Sequence, residues 1–146
     1  MSGHRISALV AAVLLGVVGG VVVGRATAPD PPPPAGLATS QVADLLASRV
    51  SAVNGGDKEG IASHYSTSAV VEERDQDPPV TYSGNERIAS VLSGYQLLGF
   101  SIHQRGVAVQ QGRWVAEPLV WSNGEGIAVY EIGEDGVIAH QWVIGQ

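Results

Sequence analysis

Residues Gly112-Arg113-Trp114-Val115-Ala116-Glu117-Pro118-Leu119-Val120-Trp121, followed by Ser122-Asn123-Gly124-Glu125, Gly126 to Ile132, Gly133-Glu134-Asp135-Gly136 and Val137 to Ile144, read as three strands joined by two tight turns. Val, Ile, Trp and Tyr fill the strands. Gly, Asn and Asp, which tolerate positive φ, fill the turns. Pro118 has no N–H for a ladder, so it marks a bulge or an unpaired edge on one side of its strand. A meander this long needs an apolar cover on one face, and the segments before it carry the pattern to supply one.

Thr39 or Ser40 is placed to cap a first helix, in which Val42, Leu45, Leu46, Val50 and Val53 form one stripe. Asn54-Gly55-Gly56 ends it, and Asp57 caps a shorter second helix with Ile61 and Tyr65 one turn apart. Ala69 to Glu72 reads as a strand and Glu73 to Pro79 as a polar loop. Gly84-Asn85 opens a third helix whose Ile88, Val91, Leu92 and Tyr95 share a face. Leu97 to Val109 reads as a long strand bent near Gly106, and Gln110-Gln111-Gly112 turns it into the meander. Helices grouped ahead of antiparallel strands place residues 39–146 in the α+β class. The expected architecture is a cone-shaped α+β barrel: three helices cover one face of a curved antiparallel sheet and leave a pocket at its wide end.

The first 27 residues read differently. Ile6 to Gly24 is a run of 19 residues without a charge, roughly 28 Å long as a helix and close to the thickness of a bilayer core. Ala26-Thr27-Ala28 has the form of a signal-peptide cleavage site, which leaves removal as an alternative. The run exceeds the usual signal-peptide core, and Pro29 would follow the cut directly, so the reading taken is an uncleaved single-pass transmembrane anchor, residues 1–27. The amino terminus and His4 add to Arg5 on one side against Arg25 on the other, which puts the globular part outside the cell membrane. Residues 28–38, with Pro31 to Pro34 in a row, form a stiff polyproline tether.

A net charge of −6 with no Lys/Arg run excludes nucleic acid as an expected partner. The absence of Cys removes disulfides, thiolate metal sites and a Cys nucleophile. His64, His103 and His140 lack metal-ligand spacing, and no phosphate loop, dinucleotide fingerprint or Ser-centred nucleophile motif is present. No metal or cofactor is expected.

Several short motifs taken in order carry a family resemblance. They are Val53-Asn54-Gly55-Gly56-Asp57 leading to Ile61 and Tyr65, Ser68-Ala69-Val70-Val71-Glu72, Gly84-Asn85-Glu86-Arg87-Ile88, Val129-Tyr130-Glu131-Ile132, Asp135-Gly136-Val137-Ile138, and Trp142. From about Thr39 to Gly145 the chain resembles the nuclear transport factor 2-like superfamily, in particular its SnoaL-like (polyketide-cyclase-like) branch. The resemblance implies the cone fold, a pocket between helices and sheet, and frequent homodimers. Its members include isomerases, cyclases, dehydratases and non-catalytic binding modules, so it selects no activity. Against the ketosteroid isomerases of the superfamily, Glu73 falls where those enzymes have their carboxylate base. Their oxyanion Tyr and Asp fall on Arg49 and Ala128. A base without an oxyanion donor lacks the larger catalytic contribution, which makes that mechanism an unlikely one here.

Glu73 and His140 are the candidate general bases, weighed against a solvated acidic loop and an ordinary strand histidine. Arg49, Tyr65, His103, Tyr130 and Trp142 are the candidate ligand contacts. His140 and Trp142 are two apart on a strand and share a face, while His64 is expected to face outward. The leading expectation is a membrane-tethered domain that binds a small apolar molecule or an envelope protein and has no assigned catalysis. An isomerase, cyclase or dehydratase is the first alternative, and a structural module that dimerises in an envelope complex is the second.

Overall fold

The computed structural model describes residues 37–145. The expected anchor (1–27) and all but the last two residues of the expected tether (28–38) lie outside them. Among the described residues no helix is long and apolar enough to cross a membrane.

Helix α1 (Thr39–Gly55) begins at Thr39, so its cap is Ala38, one residue before the expected Thr39 or Ser40, and no hydroxyl caps it. Instead the Gln41 side chain reaches back to accept from the Ala38 N–H at 3.0 Å. Gly56 ends the helix at φ 65°, where its N–H returns to the carbonyls of Ala52 and Val53. This is the left-handed cap that glycine adopts at least cost. Helix α2 (Lys58–Ser63) is capped by Asp57, whose carboxylate accepts from the Gly60 N–H. After α2 come strand β1 (Tyr65–Glu73), strand β2 (Val80–Ser83) and helix α3 (Asn85–Leu97). Five strands complete the chain: β3 (Ile102–Gln104), β4 (Val109–Gln111), β5 (Trp114–Trp121), β6 (Gly124–Ile132) and β7 (Ile138–Gly145).

The strand order is β2-β1-β7-β6-β5-β3, with β4 also paired to β5. The sheet is therefore mixed rather than antiparallel throughout, because β1 runs parallel to β7. The reason is topological. The meander folds back on itself through β5, β6 and β7, and its last strand docks beside the first strand of the domain, a contact with no sequence-local signal. The long strand expected over Leu97 to Val109 is also corrected. Leu97 closes α3, and the rest divides into β3 and β4, which lie in succession along one edge of β5. Pro118 accounts for the division. It falls between the β5 residues paired to β4 (Trp114 to Ala116) and those paired to β3 (Leu119 to Trp121), so its missing N–H leaves no ladder bond unmade. Its carbonyl still accepts from the Arg105 N–H at 3.0 Å. Strand β2, at the exit of the expected polar loop, pairs with β1 through four residues.

The helices pack on one face of this sheet. Val42, Leu46 and Val53 of α1 are at most 2% exposed, as is Ile61 of α2. Ile88 and Leu92 of α3 join them over Val71, Val115, Leu119, Ala128 and Ile138. Burying each large side chain contributes roughly 1.5–3 kcal/mol against the unfolded chain. The register places Val71, Gln141, Tyr130 and Val115 in one row across β1, β7, β6 and β5, and Glu73, Val143, Ala128 and Glu117 in the next. Alternation puts both rows on the helix-covered face. The opposite face carries Glu72, His140, Trp142, Glu131 and Trp114.

Candidate functional site

Two polar clusters lie inside an otherwise apolar cone. The deeper is built around Arg49, which projects from the buried stripe of α1 and is 1% exposed. Its Nε donates to the Tyr65 hydroxyl at 2.7 Å and its Nη2 to Gln141 Oε1 at 3.1 Å. The Tyr65 hydroxyl donates to the same Gln141 oxygen. The guanidinium carbon lies 5.4 Å from the centre of the Tyr130 ring and 6.0 Å from that of Tyr65. The Tyr130 hydroxyl donates to Glu117 at 2.7 Å, and Gln104 donates to the other Glu117 oxygen. Burial opposes the Arg49 charge, but Tyr130, Tyr65 and Glu117 outweigh it and hold the group above its ordinary pKa. Burial likewise pushes the Tyr65 and Tyr130 phenols up, so both stay protonated. One nitrogen, Nη1 of Arg49, is buried without a hydrogen-bond acceptor. The faces of Tyr130 and Tyr65 supply the negative side of their ring quadrupoles to this cation in place of an oxygen.

This layer is closed. Arg49, Tyr65, Tyr130, Glu117 and Gln141 are each 3% exposed or less. Its bonding capacity is spent almost wholly on itself, which fits a structural floor better than a binding surface.

The second group lies at the far end of β1. Glu73 is the last residue of that strand and 7% exposed. Tyr95 from α3 donates to its Oε1, and Tyr82 from β2 donates to its Oε2 at 3.2 Å. Both tyrosines are half-buried, and Phe100 packs against Tyr95 with ring centres 6.0 Å apart. Desolvation raises the Glu73 pKa above the ordinary glutamate value; the two phenol bonds oppose this rise and the nearby Asp75 charge adds to it. Burial, reinforced by Glu73, raises both phenols as well, the Tyr95 hydroxyl strongly. The result is a desolvated carboxyl under an aromatic wall, at a place where side chains are only half covered. Each carboxylate oxygen accepts one protein bond and retains capacity for another. Glu73 and Glu117 end the same transverse row but stand three strand spacings apart, roughly 14 Å, too far to share a proton.

The structure brings together three of the residues singled out from sequence, Arg49, Tyr65 and Tyr130, and seals them in the floor. Glu73 lies on the same face of the sheet, near the accessible rim. His140 and Trp142 do share a face, but it is the other one. Their rings stack at 3.8 Å, and His140 Nε2 is 2.9 Å from Glu72. His140 and Glu73 therefore cannot act in one pocket. His103 is exposed on β3, next to Gln104, whose side chain points inward to Glu117. His64, expected to face outward, is buried at 9% exposure and bonded through both ring nitrogens. Among the described residues no cluster of side chains suits a metal ion.

Sequence reading missed Gln141, Glu117, Tyr82 and Tyr95 as partners. For Glu117 the signal was present. Val115, Glu117 and Leu119 alternate along a strand, so an acid sits in an apolar row. Gln141 was marked in the same way by lying between His140 and Trp142. The phenol pair on Glu73 had no local signal, because it requires β2 and α3 to converge on the end of β1.

The sequence matches no protein-family model and no curated protein. Among solved structures, the chain is similar to a cystatin-like-fold protein of Methylobium petroleophilum PM1, with a TM-score of 0.67 and 14% identity over 75% of this chain and 78% of that one. A SnoaL-like protein of Burkholderia thailandensis E264 gives a TM-score of 0.65 at 12% identity, over 76% of this chain and 98% of that one. A nuclear transport factor 2-like protein of Cytophaga hutchinsonii ATCC 33406 gives 0.61 at 13% identity, over 77% and 94%. Helices before a curved sheet, the strand order and these likenesses agree: the described residues adopt the nuclear transport factor 2-like, SnoaL-like fold.

Proposed function

We propose that this domain binds a small, largely apolar molecule carrying a hydrogen-bond donor, held at Glu73 beneath Tyr82, Tyr95 and Phe100. The observation that carries the reading is the buried Glu73 carboxyl, raised in pKa by desolvation and with acceptor capacity to spare. The neighbouring phenols both donate to Glu73, so neither is free to stabilise an enolate oxygen, and Ala128 offers no donor. That combination favours recognition over turnover. The uncharged segment Ile6–Gly24 and the proline tether support a membrane-attached domain facing away from the cytoplasm, as part of the same proposal.

A soluble phenol such as 4-ethylphenol tests the site, since its hydroxyl donates and its body is apolar. Titrated into the full-length chain, it is expected to shift the amide resonances at the end of β1, in β2 and in the last turn of α3. Glu73→Gln exchanges a charged acceptor for a neutral one and is expected to weaken binding about tenfold. Shifts confined to other parts of the fold, or an affinity indifferent to Glu73→Gln, would overturn the proposal. The same raised carboxyl supports a second reading, a general base that removes a proton next to a carbonyl. Deuterium exchange into cyclohexanone separates the two. Acceleration by the full-length chain that is lost in Glu73→Gln would make the domain an enzyme, and no acceleration leaves it a binding module.

A further inference from the structure

A groove between α1 and α2, away from the cone interior, holds a second arrangement of reactive groups. Its volume is about 500 Å³, and Ser48, Ser51, Asp57, Gly60, Ser63 and His64 line it. His64 follows α2 as its C-cap, with its ring buried. The ring Nδ1 lies 2.5 Å from the Gly60 carbonyl oxygen, and Nε2 lies 3.0 Å from Ser48 Oγ. A carbonyl only accepts. In the neutral ring, therefore, Nδ1 carries the proton and Nε2 presents a bare lone pair. The Ser48 hydroxyl must then donate to Nε2. A serine donating to an imidazole whose other nitrogen is fixed by an acceptor is the arrangement of a nucleophile on its general base, with a backbone carbonyl in place of the orienting carboxylate.

The surroundings support the pairing. Ser48 itself is exposed, so a reactant can reach the oxygen while the base stays sheltered. The Gly60 carbonyl is held firmly, because its own N–H is bound to Asp57 at 3.0 Å and its oxygen also accepts from the Ser63 hydroxyl at 2.7 Å. A Cβ at residue 60 would stand 2.3 Å from Asp57 Oδ2, so a side chain there would push the capping carboxylate aside. Asp57 brings negative charge to the same groove.

We propose that Ser48 is a nucleophile and His64 its general base, in a site for small acyl esters with neutral or cationic alcohol groups. Ser48 Oγ adds to the ester carbonyl carbon as its proton passes to His64 Nε2. The tetrahedral adduct then expels the alcohol oxygen, which takes that proton back, and leaves an acyl-Ser48. Water, deprotonated by the same Nε2, hydrolyses the acyl group to the free acid and restores the hydroxyl. Ser51, one turn further along α1, brings a hydroxyl donor to the groove for the oxyanion. Asp57 disfavours anionic esters. The site shares no residue with the Glu73 cluster and is independent of its function.

The test treats the full-length chain with p-nitrophenyl acetate and, separately, with a fluorophosphonate, and locates the adduct by peptide mass mapping. The expected adduct is on Ser48 and is absent in Ser48→Ala. That exchange lies on an exposed helix surface and favours helix, so the variant keeps its fold. His64→Gln is expected to slow adduct formation about 100-fold. Labelling elsewhere, no labelling of the folded chain, or a Ser48 adduct that forms equally fast in folded His64→Gln would overturn the proposal. Should His64→Gln fail to fold, the presence or absence of the Ser48 adduct in the native chain decides by itself.

Discussion

Replacing Arg49 with methionine is expected to destabilise the domain by about 4 kcal/mol, a fall in Tm of roughly 15 °C or more. Arg49 is the sole buried Lys or Arg among the described residues, and Glu117, one tyrosine away, is 0% exposed. Methionine fills most of the volume, so the loss is not chiefly one of packing. It comes from Glu117, whose carboxyl is left buried without the compensating guanidinium, and from the Tyr65 hydroxyl, which loses the donor at 2.7 Å. Leaving one charge of a buried set uncompensated is the expensive case, whereas removing both charges is cheap. The double change Arg49→Met with Glu117→Gln is accordingly expected to be more stable than Arg49→Met alone, and a double-mutant cycle in urea measures the difference. A loss of under about 1 kcal/mol for Arg49→Met would mean that the floor of the cone is hydrated rather than sealed.

Gly126→Ala is the second large effect, about 3 kcal/mol. Gly126 lies in β6 between Leu119 of β5 and Gly145 of β7. Its φ is not in the left-handed range, so the requirement is for space rather than conformation. A Cβ at this position would stand 2.2 Å from the Ile144 carbonyl oxygen, 2.7 Å from the Gly145 Cα and 2.7 Å from Trp121 Cη2. Two of these three atoms are backbone. They cannot swing aside as a side-chain end does, so β6 and β7 must part where they join. Thermal unfolding followed by far-UV circular dichroism reads the loss. A variant with wild-type Tm would contradict the close approach of β6 and β7 at Gly126.

The meander was legible because its signals are local: apolar strands of the right length, with Gly, Asn and Asp between them. The first and third helices were legible for the same reason, through their 3.6-residue stripes, and the short second one through the Gly56 and Asp57 punctuation, although Tyr65, expected one turn after Ile61 on that helix, instead opens β1. What escaped was set by tertiary pairing. The parallel contact of β1 with β7 joins residues far apart in sequence. It made the sheet mixed, and it placed Gln141 on the inner face beside Arg49. Leu98, Phe100 and Ile102 alternate as a strand does, but the division of Leu97 to Val109 into a helix end and two short strands was decided by β5, on either side of Pro118. At the site, Glu73 was legible as a carboxylate at a strand end, but its environment was not. The phenols that flank it come from β2 and α3, and the spacing of Tyr95 marks it only as part of the apolar face of its helix. It does lie on that face, with its hydroxyl extending beyond the core to the carboxyl.

The raised pKa of the Glu73 carboxyl has a consequence for stability. The unfolded chain loses this proton first as pH rises. Stability attached to the group is therefore full below the ordinary glutamate value and declines until the folded pKa is passed. The most direct measurement is a ¹³C NMR titration of the Glu73 side-chain carboxyl in the full-length chain, with and without 4-ethylphenol. The predicted result is a pKa above the ordinary glutamate value that falls when the phenol is added, because a donor to the charged form favours that form. An ordinary or lowered pKa, unmoved by the phenol, would contradict a sheltered acceptor at Glu73 and with it the proposed binding site.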